Sequence, residues 1–402
     1  MLYALVRPIA RYTLARYFRH IDLTGLQHIP PDAPVILAAN HPTAFIEPCL
    51  MACFQRRPLH FLARGDFFRN PIAGAVLRAL HILPVYRQQD GEYGDLTRNY
   101  ATFDHCYGAL NRGRALMILA EGRCVHERRL RPLRKGTARV ALGALHRHTT
   151  LGEVYIVPVG VNFSAPERLR STVMIRCGAP LRASDYLARY RANEATGLRE
   201  LTDDLHAALG ELVVQLPGGE RDAAYQTLLE VRRNAAFPHA TGVTHAGKQL
   251  DAELAALHPA PPHEDHILRY AAHLHAAGLR DAALLPGRKP DVSWQLLPAL
   301  LLALPQLPLW VLAEVIALKG PRRIEFYSPV RFAALAVGQL LYVPLLFVLP
   351  WWAVLWIVGA WFGLGWCLRL LDAARDWRQR VRFGKLPDAD RRRLQALREA
   401  LL

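Results

Sequence analysis

The chain has 402 residues, 52% of them hydrophobic, with a formal net charge of +16 and a pI near 10.0. That length exceeds one ordinary domain, and the apolar content excludes a disordered or fibrous chain. The basic balance calls for an anionic partner, namely a membrane surface, a phosphorylated substrate or nucleic acid, the last being weakest because the basic residues lack interleaved aromatics.

Lysine occurs only at 135, 248, 289, 319 and 385, so the excess is almost all arginine, a skew that base composition alone can produce. The six cysteines, at 49, 53, 106, 124, 177 and 367, form no CxxC pair or regular framework, which fits a reduced compartment. Residues 1–18 read as a basic amphipathic helix suited to an anionic surface, not as a secretory leader, because Arg7, Arg11 and Arg16 interrupt the apolar positions.

From there to about residue 215, short β-rich runs alternate with amphipathic stretches, the pattern of an α/β layer fold. Strands are expected at Pro34–Ala39, Leu59–Ala63, Ile82–Tyr86, Ala115–Leu119, Tyr155–Val161 and Thr172–Arg176. Helices are expected near 43–55, 70–80, 95–112, 135–148, 183–192 and 197–215. Pro217-Gly218-Gly219 marks a break. Residues 217–292 then read as a helical connector, whose histidines have no zinc-like spacing with a carboxylate and are expected on a solvated surface.

The last third differs in kind. No charge occurs over residues 332–368, a second apolar run covers 294–318 with only Glu314 charged, and all eight Trp lie at or beyond position 294. A bilayer asks for such stretches, about 20 apolar residues per span with aromatic ends. Pro344 and Pro350 divide the longer run into arms at 332–349 and 351–368, within a membrane region 293–370. Both flanks of this hairpin are basic, residues 369–402 holding ten basic and five acidic residues, so both ends are expected in the cytoplasm. The run 294–318, with its three prolines, either crosses or re-enters, and residues 371–402 form a basic cytoplasmic tail.

The chemistry concentrates in Asn40-His41-Pro42-Thr43-Ala44-Phe45-Ile46-Glu47, where the strand PVILAA runs directly into a histidine. A histidine at a strand end can act as a base near neutral pH, and Glu47 could fix its tautomer across the turn. Alone, such a pair proves nothing. A second strand, Ala115–Leu119, runs into Glu121-Gly122-Arg123, followed by Arg128, Arg129, Arg131, Arg134 and Lys135. A carboxylate, a flexible glycine and several guanidiniums suit a polyol phosphate, or else form a solvated basic face. A third strand ends in Pro84-Val85-Tyr86-Arg87, and a fourth holds Val157-Pro158-Val159-Gly160. No Gly-x-Ser-x-Gly elbow surrounds any of the five serines, which argues against a serine esterase.

Taken in order, these four segments resemble the four blocks of the glycerolipid acyltransferase superfamily, which acts on lysophosphatidic acid and glycerol-3-phosphate. The resemblance covers roughly residues 20–215. It implies an α/β fold with an acyltransferase-type mixed sheet flanked by helices over residues 19–216, ahead of the connector and the hydrophobic membrane helices. It further implies His41 as general base with Glu47 as its partner, Arg87, Glu121 and Gly122 at the acceptor, and Pro158 shaping the acyl pocket. Arg123 and Lys135 join the phosphate-binding set through their place in the basic run. The resemblance implies acyl-CoA or acyl-carrier protein as co-substrate, no cofactor or metal, and a place on the cell membrane with the catalytic domain on the cytoplasmic face. Three departures stand out. Five residues separate His41 from its acid where the family usually has four, and that acid is Glu in place of Asp. The third block reads Ala-Glu-Gly-Arg where Pro-Glu-Gly-Thr is usual. Acylation of another lipid alcohol, or an inactive membrane-binding homologue, stays open.

Overall fold

A computed structural model describes residues 2–85, 94–257, 264–286 and 294–402, with side chains for all of these except 94–101. Nine strands are described: β1 (His20–Thr24), β2 (Val35–Ala39), β3 (Leu59–Arg64), β4 (Ile82–Val85), β5 (Ala115–Leu119), β6 (Tyr155–Phe163), β7 (Thr172–Cys177), β8 (Leu181–Arg182) and β9 (Gly242–Thr244). The chain divides into two compact units, one of residues 1–12, 23–162 and 175–213 and the other of 13–22, 163–174 and 214–402.

In the first unit the strand order is β4-β3-β5-β2-β6, with β8 antiparallel to β6, so the sheet is mixed and flanked by helices as the resemblance implied. β2 is buried at every position and lies parallel between β5 and β6, pairing Val35 with both Ala115 and Tyr155. That double burial explains why VILAA is an unbroken apolar run rather than an alternating one. One core gathers Ile36 and Ala38 of β2, Leu116 and Ile118 of β5, and the apolar faces of the helices Gly136–Arg147 and Glu194–Gly210. Each large side chain fully buried there contributes roughly 1.5–3 kcal/mol relative to exposure.

An aromatic stack pins the helix Leu2–Tyr17 to this unit. Tyr3 lies 4.8 Å from His81, and His81 lies 4.7 Å from His60, all nearly parallel. Burial, with His81, Arg114 and Arg112 beside it, pushes the His60 imidazole down to about 4, and burial lowers His81 too. Both rings therefore fold in the neutral form. The unfolded chain takes up protons as pH falls below about 6.5 while the native unit resists, so stability is lost between about 6.5 and 4. We expect Tm to drop across that window and His60→Gln to shallow the drop. An unchanged slope in thermal denaturation against pH would remove His60 from the account.

In the second unit, β1 pairs parallel with β9, His20 opposite Gly242 and Asp22 opposite Thr244. Polar side chains hold this pair. Asp22 accepts hydrogen bonds from Thr244 Oγ1 at 3.0 Å and from the backbone N–H groups of Ala246 and Gly247 at 3.0 and 2.9 Å. A helical core follows, built on Leu228, Leu229, Ile267 and Tyr270. Within it the buried Asp281 accepts from Tyr270 Oη at 2.8 Å, Asn234 Nδ2 at 2.8 Å and Arg398 Nε at 2.7 Å. The segment expected to be a basic tail is thus helical, and Leu394, Leu401 and the Asp281-bound Arg398 turn towards this core while Arg392 and Arg393 are exposed.

Three helical stretches among the described residues are long and apolar enough to cross a membrane, Leu296–Lys319, Ile324–Val348 and Trp351–Gly384. The break between the last two falls at Pro350, whereas Pro344 stays inside its helix, as membrane helices tolerate. Polar side chains on these helices meet one another: Gln339 Nε2 donates to Gln306 Oε1 at 2.9 Å, and Trp361 Nε1 to Gln339 Oε1 at 2.8 Å. Arg331 is buried and bonds to Glu314 at 2.9 Å. In hydrocarbon, groups left without such partners would be costly.

Candidate active site

Register builds the site. Ala39, the last residue of β2, stands opposite Leu119, the last of β5, so the residues two positions beyond each strand emerge side by side. Those residues are His41 and Glu121, and the His41 backbone N–H donates to Glu121 Oε2 at 3.1 Å. On the other flank, the Asn40 side chain continues the ladder to β6, donating to the Val161 carbonyl at 2.9 Å and accepting from its N–H at 2.8 Å. The turn carrying His41 is therefore gripped from both neighbouring strands.

Beyond the turn, the helix Ile46–Phe54 begins with Glu47 in its first turn, where a carboxylate complements the helix dipole. Glu47 is fully buried, and Thr43 holds both its oxygens: the Thr43 N–H reaches Oε1 at 2.6 Å and its hydroxyl reaches Oε2 at 2.9 Å. Held in this way, Glu47 Oε1 lies 3.9 Å from His41 Nδ1. His41 is 7% exposed and its Nδ1 is buried with no hydrogen-bond partner. A separation of 3.9 Å is too long for a hydrogen bond. Catalytic pairs without substrate are often this loose.

Glu121 is buried and tied to more than the turn. The Arg131 backbone N–H donates to Oε1 at 3.0 Å and its guanidinium to Oε2 at 2.5 Å. The loop between returns to the sheet, with the Arg134 N–H bonded to the Ala120 carbonyl at 2.8 Å and the Val125 N–H to the His41 carbonyl at 3.2 Å. Gly122 starts this loop at φ +76°, and a Cβ there would meet Arg134 Cγ at 2.9 Å, so glycine answers both the turn and the close approach. Arg123, Arg134 and Lys135 are exposed, Lys135 standing directly before the helix Gly136–Arg147.

Of the residues expected to act, the structure thus brings together His41, Glu47, Glu121 and Gly122, with Arg123 and Lys135 at the ends of one loop. Pro158 lies elsewhere, buried in β6 opposite Ala38, three residues short of His41 along the neighbouring strand, and its carbonyl accepts from Gly178 N–H at 2.8 Å. Arg87 lies outside the described residues. The reading of residue types missed the duties of Asn40, Thr43 and Arg131. Thr43 stands just ahead of a helix start, where threonine hydroxyls commonly bond nearby backbone, and its Oγ1 accepts from the Ile46 N–H at 3.3 Å. Arg131, in a run of arginines, carries no such signal.

The Acyltransferase family model matches residues 20–162. An uncharacterised acyltransferase of Schizosaccharomyces pombe is 23% identical over 360 residues, 66% of this chain and 52% of that protein. Glycerol-3-phosphate O-acyltransferase 1 of Saccharomyces cerevisiae is 28% identical over 136 residues, 33% of this chain and 16% of that protein. The chain thus spans about half the length of the first relative and far less of the second. The crystal structure of the 1-acyl-sn-glycerophosphate acyltransferase PlsC from Thermotoga maritima aligns with 52% of this chain and 79% of its own, at 14% identity and a TM-score of 0.37.

Proposed function

Residues 20–162 belong to the glycerolipid acyltransferase superfamily, and from that premise we propose that the chain moves a fatty acyl group from acyl-CoA or acyl-carrier protein onto the hydroxyl of glycerol-3-phosphate or 1-acylglycerol-3-phosphate. The observation that carries this reading is the buried His41–Glu47 pair at the end of β2, clamped against Glu121. His41 Nδ1 faces the carboxylate, which leaves Nε2 to take the acceptor's proton. As that proton leaves, the hydroxyl oxygen bonds to the thioester carbonyl carbon. The carbon–sulfur bond then breaks, and the departing thiolate recovers the proton from the imidazolium. An ester and a free thiol result, with no acyl-enzyme between.

Glu121 serves this reaction by holding the His41 turn, while Arg87, Arg123, Lys135 and the Gly122 loop meet the acceptor phosphate and Pro158 borders the acyl chain. The exposed arginines of the 123–134 loop support a phosphorylated acceptor over a neutral lipid alcohol. The apolar helices support a membrane-bound enzyme, and the basic residues flanking the last two support a catalytic unit on the cytoplasmic face of the cell membrane.

Labelled palmitoyl-CoA offered to the protein in lipid vesicles, with glycerol-3-phosphate or with lysophosphatidic acid, tests the acceptor. We expect a labelled phospholipid from one of them, and a raised KM for that acceptor when Arg123 and Lys135 are replaced by glutamine. Acylation of neither, with acyl-carrier protein also tried as carrier, would defeat the assignment.

A further inference from the structure

The first unit hides its large apolar side chains well. Among its described residues four are exposed, Leu5 at 62%, Phe67 at 53%, Ile72 at 76% and Val76 at 45%. Three of them fall within ten residues of one another, and the helix carrying Leu5 is anchored by the Tyr3–His81 stack to the end of the same segment. This segment runs along the sheet's edge strand, β4, as a short turn Gly65–Phe68 and a helix Pro71–Ala79.

The helix owes little to packing. Asn70 caps it, accepting from the N–H groups of Ile72 and Ala73 at 2.9 and 3.1 Å, and Pro71 supplies the first position with φ preset. Gly74 alone of its nine residues is buried, where a Cβ would stand 3.2 Å from the Phe68 carbonyl. The rest of PIAGAVLRA stays largely uncovered, an apolar surface that a lone soluble domain would not leave open without a use.

Charge identifies the occupant. Arg64, Arg69 and Arg78 are exposed around this apolar surface, and the one acid in the segment, Asp66, is paired with Arg64 at 2.8 Å. The Arg78 guanidinium lies over the Phe68 ring, 5.9 Å from its centroid. Apolar side chains inside a rim of arginines match the acyl–headgroup boundary of an anionic bilayer, where the side chains enter the acyl region and the guanidiniums bind phosphate. We propose that residues 64–80 form a second membrane contact, separate from the three apolar helices, through which the acyltransferase unit lies on anionic lipid. This does not depend on the donor or acceptor named above.

The test uses the full chain in bilayers of phosphatidylcholine alone or of equal parts phosphatidylcholine and phosphatidylglycerol, read by backbone amide exchange. Amides of 67–80 should exchange more slowly in the anionic bilayer, and Arg69→Glu with Arg78→Glu should cost about fivefold in protection for each arginine. Ile72→Glu with Val76→Glu should abolish the protection in both lipids, with exchange in β2 and β5 unchanged as the sign of an intact fold. Equal exchange in both bilayers and in the charge-reversed variant would overturn the proposal. So would protection that tracks protein density in the bilayer, which would make the occupant a second copy of the chain.

Discussion

His41→Ala is expected to lower acyl transfer by about 10²–10⁴-fold, the usual worth of a positioned general base, with Tm and membrane association unchanged. The separation of these effects follows from how His41 is bonded. Its backbone N–H and carbonyl carry the contacts to Glu121 and Val125, and alanine keeps both. Its Nδ1 makes no hydrogen bond that the substitution would break, only the longer approach to Glu47. Residual activity within tenfold of wild type would remove the base from the mechanism. A large fall in Tm would show instead that His41 is a packing residue.

Glu121→Ala should behave in the opposite way, striking stability first. Glu121 is buried and takes three donors from His41 and Arg131, whose side chain is only 14% exposed. Removing one partner of a buried ion pair leaves the other charge unsolvated, a cost of about 3–5 kcal/mol. In a unit of this size that corresponds to a fall in Tm on the order of 10 °C. Turnover should fall by about tenfold or more as well, because the His41 turn loses one of its two grips. Glu121→Ala combined with Arg131→Leu should recover much of the lost Tm, since no buried charge is then left alone, but not the lost turnover. If the single variant melts like wild type, the clamp is not a stabilising feature of this fold.

How far the chain could be read before folding differed from element to element. β2, β3, β5, β6 and β7 announced themselves as apolar runs bounded by turn residues, and each lies within two residues of its expected limits. β1 and β9 did not, because HIDLT and GVT are short and polar, and the Asp22 and His20 networks hold them across more than two hundred residues of sequence. The long helix Trp351–Gly384 outruns its charge-free stretch, since a helix can pass from an apolar to a basic composition without a break. In the site, His41, Glu47 and Glu121 were visible as motif letters at strand ends. Their geometry was not: that Thr43 would hold both Glu47 oxygens, or that one arginine among several would turn inward, depends on a register, Ala39 opposite Leu119, that the chain acquires only by folding.

The central claim is direct transfer of an acyl group to an acceptor hydroxyl. Its most direct measurement is acyl transfer from labelled palmitoyl-CoA to glycerol-3-phosphate and, separately, to lysophosphatidic acid in vesicles, quantifying acylated product and free fatty acid side by side, for wild type and for His41→Ala. The account predicts label in the acylated product for wild type, little free fatty acid, and loss of that product in the variant. Label that appears only as free fatty acid, or product formation that His41→Ala leaves intact, would contradict it.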